Sequence, residues 1–400
     1  MALADELASL PSELRARLEA RGFRDDRLLS WAASIGTDRD ARNRLSGPVE
    51  APLPGDVADL PVEGSDEHAR LRALGLEALR AGRVAFCVLA GGMATRMGGV
   101  VKALVEALDG KSFLELRLAE QAALERELGA VVPLWLMTSE ATYGPIVEAL
   151  GARRDGERVA VFEQCVSLRL DKSGALFRDA HGEPSVYATG HGDLPEALAK
   201  SGLLEHFLEK HSLEKCSLEQ HGLARRAGAG EAPGPWIWIA NLDNLGASID
   251  PVVLGWHIAH GDPLSVELVD KVGSDRGGGP VRHRGKRIIA EEFRLPKGFD
   301  PASVPVFNTN TFVVDARALA ALDHEFSFVE VDKKVDGLEA VQFERLLGEI
   351  TVPLEPRFLR VPREGSRSRF LPVKDHDELA QRREALRALA TERGWIERPA

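Results

Sequence analysis

Residues Val84–Lys102 read VAFCVLAGGMATRMGGVVK, and the reading of this stretch decides the fold. Val84–Leu89 is a short apolar run rich in valine, the pattern of a strand buried on both faces. It passes directly into Ala90-Gly91-Gly92, then Thr95-Arg96, Gly98-Gly99 and Lys102. Glycines let backbone N–H groups approach a ligand, and neighbouring N–H groups form a concavity suited to anions. Arg96 and Lys102 add positive charge where phosphates would gather. The plainer alternative is a glycine-rich turn with no ligand, since turns favour the same residues. Two glycine motifs do not fit. A Walker A loop ends in Gly-Lys-Ser/Thr, whereas Lys102 lies between Val101 and Ala103. The dinucleotide fingerprint needs G-x-G-x-x-G, which Gly91-Gly92 followed by Gly98-Gly99 does not supply.

The 400-residue chain can bury one large core or two smaller ones. With 44% hydrophobic and 28% charged residues it has the make-up of an ordinary globular protein. A formal net charge of −11 argues against a nucleic-acid partner, so any phosphate site must be a local positive spot. Cys87, Cys165 and Cys216 are too few and too scattered for a disulfide framework or a zinc site. Cys87, inside the apolar run, reads as a small core residue. The first thirty residues lack a signal-type apolar block, and no run reaches transmembrane length. A cytoplasmic setting with no membrane partner is expected.

Upstream, residues 1–80 read as a helical segment, with Ser12 able to cap Glu13–Ala20, a polar stretch over Gly47–Gly64, and helical periodicity from His68 to Ala81. Downstream, Ser112 caps a helix through Leu128 that stops at Gly129. Val131–Thr138 is a second buried strand, followed by a helix to Leu150. Val159–Val166 is a third, carrying Gln164 near its end. This strand–loop–helix rhythm is that of an α/β domain, whose ligands gather at the carboxyl ends of the strands. Thr189-Gly190-His191-Gly192-Asp193 precedes a helix over Pro195–Leu208, with Asp193 as its cap. Free N–H groups and an imidazole there could meet a phosphate or sugar, or the histidine could be incidental.

Residues 212–235 read as a polar surface excursion. Pro235–Ala240 is then another buried strand ending in Asn241-Leu242-Asp243-Asn244. An aspartate there suits Mg²⁺, which takes one or two carboxylates and completes its shell with water and phosphate oxygens; a turn-forming role is the alternative. Leu264–Val272 and Arg287–Phe293 read as strands flanking an Arg276–Gly279 loop. Val306–Val314 holds Asn308 and Asn310 in an apolar strand, where they need a sugar hydroxyl or a backbone partner. Leu338–Glu349 reads as a helix bearing Gln342 and Glu344 as ordinary polar positions. Ser366–Lys374 is a basic cluster in which a Leu-Pro-Val segment aims Lys374, and His376–Arg393 is amphipathic.

The pattern GGxATRMG…K, together with GHGDLPEALAKSGLLEHF, IANLDNLGASIDP, VFNTNTFVV, DGLEAVQFERLLG and SRSRFLPVKDHDEL in that order, resembles the UDP-sugar pyrophosphorylases, in particular the eukaryotic-type UTP–glucose-1-phosphate uridylyltransferases. The resembling blocks run from about Val84 to about Leu379. The resemblance implies an α/β, GT-A-like, Rossmann-type nucleotidyltransferase with a central mixed sheet flanked by helices. It implies a catalytic domain over 81–375, after the N-terminal helical segment and before a helical tail at 376–400. By the same likeness Leu89, Gly91, Gly92 and Met137 would adjoin the nucleotide, and Gln164 with Gly190 would read the uracil edge. Lys102, Arg96 and Lys374 would neutralise the phosphates, and Asp243 would hold Mg²⁺ beside the nucleotide. His191 would approach the sugar phosphate, and Gly278, Glu291 and Asn308 would bind the hexose.

The chain departs from the family pattern at three places. Met93-Ala94 stands where Leu-Gly is usual, and Val100-Val101-Lys102-Ala103 where Gly-Pro-Lys-Ser is usual. The β-helical C-terminal domain through which relatives oligomerise has no counterpart, so a monomer or weak dimer is expected. The reaction implied is in-line attack of a sugar 1-phosphate on the α-phosphorus of UTP. Another sugar 1-phosphate (galactose, N-acetylglucosamine), or a weakly catalytic nucleotide-sugar-binding regulator, remains open.

Overall fold

The computed structural model describes residues 2–220, 234–273, 275, 277–365 and 367–397. Arg276, Ser366 and residues 221–233 of the expected excursion lie outside the described residues. Eight strands build the central sheet: β1 (Val57–Asp59), β2 (Val84–Leu89), β3 (Leu134–Thr138), β4 (Val159–Glu163), β5 (Trp236–Asn241), β6 (Leu264–Asp270), β7 (Val306–Asp315) and β8 (Arg357–Arg360). Their order across the sheet is β1-β8-β6-β7-β5-β2-β3-β4. All neighbours run parallel except β7, which is antiparallel to both β5 and β6.

Side chains along the central strands divide between two cores. Val84, Phe86 and Val88 of β2 join Trp236, Trp238 and Ala240 of β5 on one face. Ala85 and Cys87 join Ile237 and Ile239 on the other. A strand buried on both faces has no room for polar side chains along its length, so they collect where it ends. The carboxyl ends of β2, β3, β4 and β5 therefore form one polar edge. Because β7 runs the opposite way, its first residues reach that edge too: Asn308 lies opposite Leu268, near the end of β6. A bulge between Val266 and Leu268 follows, with Asn310 in the left-handed region at φ 58°, a conformation asparagine tolerates.

Several expected elements differ. Leu338–Arg345 is a strand, not a helix, and pairs with Phe328–Val335 in a hairpin. Its turn is Asp336-Gly337, both at positive φ, the two-residue geometry that matches strand twist. Gly279–His283 is also a strand, pairing with Lys286–Ala290 on one side and with Val49–Glu50 on the other. The N-terminal segment thus contributes short strands as well as helices, β1 closing one edge of the main sheet. The expected Pro195–Leu208 helix is two: Leu194–Ser201 and Leu203–Gln220, separated by Gly202 at φ 74°, where a left-handed residue stops the first. Residues 212–220 of the excursion continue the second.

The N-terminal helices form a third core. Leu7, Leu18, Phe23, Leu28 and Trp31 pack with Val166, Leu168, Leu170, Val341 and Phe343. Trp31 lies 5.0 Å from Phe328 and 5.3 Å from Phe343 between ring centroids. This layer covers the back of the hairpin. At the other end, the helix His376–Glu392 places Leu386, Leu389 and Trp395 beyond it in the main core. Among the described residues, no helix is long and apolar enough to cross a membrane. Replacing Trp31 by Ala should cost about 3–5 kcal/mol of stability, read as a lowered urea midpoint. A loss under about 1 kcal/mol would mean that the N-terminal layer is not packed as described.

Candidate active site

The polar edge opens into a cleft of about 670 Å³. Of the residues singled out in the sequence, Leu89, Gly91, Gly92, Lys102, Gln164, Gly190, His191 and Asp243 line it. They come from three strand ends and two loops, which the sheet order makes neighbours.

The glycine loop folds back on itself. Met93-Ala94 pairs antiparallel with Val101-Val100, and the Lys102 N–H donates to the Gly92 carbonyl at 3.2 Å. The residues that depart from the family pattern thus form a short ladder, which fixes Lys102 without the usual proline. Ala94 is buried with ordinary negative φ, so its Cβ is accommodated. Below the loop, the Ala90 N–H donates to the Met137 carbonyl at 2.7 Å. The Met137 side chain is fully buried in the core, so it supports the loop from beneath rather than lining the cleft. Gly91 is required by close approach: a Cβ there would lie 2.8 Å from Gln164 Oε1 and 3.3 Å from the Ser139 nitrogen. Arg96, on a 3-10 turn, is exposed and outside the cleft lining.

Lys102 Nζ pairs directly with the Asp243 carboxylate at the cleft floor. The turn carrying Asp243 is held from inside the protein. Arg117, fully buried beside Glu120, donates through Nη2 to the Asn241 carbonyl at 3.0 Å and the Asn244 carbonyl at 2.7 Å. Asn244 grips the C-terminal segment on both sides: its Nδ2 donates to the Arg369 carbonyl at 3.2 Å, and its Oδ1 accepts from the Leu371 N–H at 2.8 Å. This ties the Lys374 segment to the metal-candidate turn. The Lys374 side chain is exposed and outside the cleft lining, and its backbone N–H donates to Glu378.

His191 has a defined tautomer. Its Nδ1 accepts the Leu347 N–H at 2.8 Å, which leaves Nε2–H as the donor available to a ligand. Burial holds this imidazole below the ordinary histidine range, with Glu344 pulling the other way, so it is neutral at pH 7. Gly190 sits at φ 106° with no space for a Cβ, which would fall 2.6 Å from the Arg345 carbonyl oxygen. Asp193, expected as a helix cap, makes no cap hydrogen bond; its buried carboxylate accepts from Thr189 Oγ1 and faces Arg345.

Gly278, Glu291 and Asn308 form a second group beside the cleft. The Asn308 N–H donates to the Gly278 carbonyl at 2.7 Å. A Cβ on Gly278 would be 2.9 Å from Glu291 Oε1. Burial raises the Glu291 carboxyl, opposed by Arg294 and the Gly278 N–H. Asn308 Oδ1 accepts from the Asn310 N–H at 2.9 Å, and Asn310 Nδ2 donates to Asn241 Oδ1 at 2.8 Å. The two asparagines therefore have protein partners, and through Asn241 they connect this group to the cleft.

One wall was not anticipated. Arg169, Tyr187, Lys333, Gln342 and Glu344 line the cleft from the hairpin and the strands behind it. Arg169 Nε donates to Gln342 Oε1 at 3.0 Å, Gln342 Nε2 donates to Glu344 Oε1 at 2.6 Å, and Lys333 Nζ lies 3.2 Å from the same oxygen. The overlooked signal is the alternation Val341-Gln342-Phe343-Glu344 after Asp336-Gly337: period two behind a hairpin turn, which marks a strand. Among the described residues no group of three or more His, Cys, Asp or Glu could enclose a metal. A lone carboxylate at the floor still fits Mg²⁺, which fills its shell with water and phosphate oxygens.

Comparison with known proteins bears on the family and the fold. A family model described as UTP--glucose-1-phosphate uridylyltransferase matches residues 61–212 and 230–394. The chain is 28% identical to the UTP--glucose-1-phosphate uridylyltransferase of Solanum tuberosum over 331 residues, 78% of this chain and 63% of that protein. With the protein of the same name from Encephalitozoon cuniculi it shares 27% over 309 residues, 74% of this chain and 57% of that protein. The chain thus spans less than two thirds of these relatives. The structure of a Trypanosoma brucei UDP-glucose phosphorylase superposes with a TM-score of 0.68 at 20% identity, covering 91% of this chain and 76% of that one. A putative UDP-N-acetylglucosamine pyrophosphorylase from Entamoeba histolytica gives 0.67 at 17%, covering 85% and 87%. These likenesses show a shared nucleotidyltransferase-like fold, and with the family match over most of its length the chain belongs to the UTP–glucose-1-phosphate uridylyltransferase family.

Proposed function

We propose that the protein joins UTP and glucose 1-phosphate to give UDP-glucose and pyrophosphate. The observation that carries this reading is the Lys102–Asp243 pair at the floor of a cleft that also presents the Nε2–H of His191. A sugar-phosphate oxygen attacks the α-phosphorus of UTP in line. The bond from that phosphorus to the bridging oxygen breaks, and pyrophosphate leaves with the electron pair. Both reactants are anions, so positioning and charge neutralisation do most of the work.

In this reading Lys102 would pair with phosphate oxygens, and Asp243 would hold a divalent cation, Mg²⁺. Such an ion supplies Lewis-acid neutralisation of the phosphates. His191 donates from Nε2 to the sugar phosphate. Gln164 and Gly190, with Leu89, Gly91 and Gly92, form the nucleotide side, while Met137 backs it. Gly278, Glu291 and Asn308 form the hexose side, and Arg96 and Lys374 act from the rim. The ladder that places Lys102 favours turnover over nucleotide-sugar binding alone. A monomeric or weakly dimeric cytoplasmic enzyme completes the reading, in keeping with the buried free thiols of Cys87 and Cys165.

A second reading, transfer to another sugar 1-phosphate, draws on the Entamoeba histolytica relative named for UDP-N-acetylglucosamine. The deciding experiment is pyrophosphate release from UTP with a panel of sugar 1-phosphates, with and without Mg²⁺. Glucose 1-phosphate should be preferred; absence of release with every sugar would refute the proposal. Lys102→Ala should lower kcat on the order of 10²–10³-fold with an unchanged circular dichroism spectrum, and near-normal turnover would remove the lysine from the mechanism. Asp243→Asn should shift the Mg²⁺ titration to higher concentration; an unmoved curve would count against its assigned role.

The tautomer of His191 sets the pH dependence. Protonation of Nδ1 would remove the acceptor for the Leu347 N–H, and the lowered pKa delays that event to acid pH. The kcat/KM profile should stay level through pH 7 and fall only below the ordinary histidine value of about 6.5. In His191→Ala that acid limb should disappear. A limb centred at or above the ordinary value would contradict the assigned environment.

A further inference from the structure

Behind the His191 loop lies an ion network, buried at Arg345 and Asp193 and opening outward to Glu325, whose members are absent from the cleft lining. Arg345, only 6% exposed at its side chain, places Nη2 2.6 Å from Asp193 Oδ1 and donates from Nη1 to Glu196 Oε2 at 2.8 Å. Arg27, on the N-terminal helix Asp25–Ala32, donates to the same Glu196 oxygen at 3.2 Å and lies 3.7 Å from Glu325. Thr189 Oγ1 donates to Asp193 Oδ2 at 2.6 Å.

The same segment grips the loop by its backbone. The Arg345 N–H donates to the Thr189 carbonyl at 2.7 Å, and two residues on the Leu347 N–H holds His191 Nδ1. Gly192, like Gly190, packs directly on Arg345: a Cβ there would be 2.6 Å from its carbonyl carbon. Apart from the Thr189 N–H and hydroxyl, which donate to the Cys165 carbonyl at 3.1 and 3.3 Å, the fixed points of the 189–193 loop lead to residues 345–347 or to the acids that Arg345 holds.

We infer that Arg345 is a positioning residue: by clamping Asp193 and Glu196 it fixes the His191 loop against the wall carrying Gln342 and Glu344, and through Arg27 it ties both to the N-terminal helices. This inference rests on the role of His191 proposed above. It adds to that role a link from the N-terminal layer to the ligand-facing imidazole.

The charges facing Asp193 come from every packed element: Arg345 from the hairpin, Glu196 from its own helix and Arg27 from the N-terminal layer. Cys165, at the end of the neighbouring strand, feels Asp193 and Glu196, with Lys200 beyond. Burial lifts the Asp193 carboxyl to about 6, and Arg345 is the main influence pulling it back down. A carboxyl raised in the folded state binds its proton more tightly there than in the unfolded chain. Its contribution to stability is thus greatest at low pH and declines as pH rises toward the folded value. Without Arg345 the folded value rises further, so the decline extends to higher pH.

The test compares the wild-type chain with Arg345→Met and Arg345→Lys. Arg345→Met should lose more thermal stability at pH 8 than at pH 5. Its His191 ¹⁵N resonances should move toward those of a mobile ring, and kcat/KM should fall on the order of 10²-fold. Arg345→Lys, which keeps the charge but not the fork, should recover part of each. The inference is overturned if the folded Arg345→Met shows wild-type His191 resonances and a stability loss equal at both pH values. Should Arg345→Met not fold, Arg345→Lys and Glu196→Gln carry the same comparison, and wild-type His191 resonances in both would overturn it. If the wild-type chain releases no pyrophosphate from any sugar 1-phosphate, the proposed function fails. The NMR and pH–stability results would still decide the role of Arg345.

Discussion

Two strands without a free face, β2 and β5, impose the layout of the site. Each contributes side chains to both apolar cores, and an unpartnered polar group along either would cost several kcal/mol. Polar residues are therefore tolerated only where the strands end, at Leu89–Gly92 and Asn241–Asn244. Since these strands are parallel neighbours, both ends fall side by side. The reversal of β7 then brings Asn308 and Asn310 to the same edge, and the amide chain from Asn310 to Asn241 joins them to it.

Around that edge, the loops are held mainly from behind. Arg117 secures the Asp243 turn through two backbone carbonyls, and Asn244 secures the C-terminal segment. Arg369, buried with Glu267, donates also to the Ser248 carbonyl beneath the same turn. Buried ion pairs of this kind contribute little net stability, because desolvation offsets their attraction. Their effect is geometric, since a planar guanidinium with fixed donors allows few arrangements of the backbone it bonds. The cleft-lining groups, by contrast, are partly open to solvent: the paired Lys102 and Asp243 side chains are 15% and 20% exposed.

Much of this was legible from residue order. Local pattern puts the glycine loop, Gln164 and Asp243 at strand ends and the Gly190-His191 turn before a helix, and they line one cleft. The hairpin bearing Lys333, Gln342 and Glu344 was missed because Leu338–Glu349 is rich enough in leucine and glutamate to suggest a helix. Its alternation and the Asp336-Gly337 turn favour a strand, and packing of Val341 and Phe343 on Trp31 decides the matter. Likewise, Lys102 lacks the usual proline before it, and a two-residue ladder holds it instead, a pairing that residue order alone does not reveal.

The sequence by itself determined the α/β class, the strands buried on both faces, and the family, because apolar run length and motif order are local properties of the chain. Only the tertiary structure decided that Lys102 meets Asp243, that the hairpin supplies a wall, and that Arg345 reaches Asp193. Those contacts span from 141 to 173 positions along the chain, as Lys102–Asp243 and Arg169–Gln342 show. No local pattern encodes such a meeting, which depends on sheet order, on one reversed strand, and on the pairing of buried charges that must find partners once water is excluded.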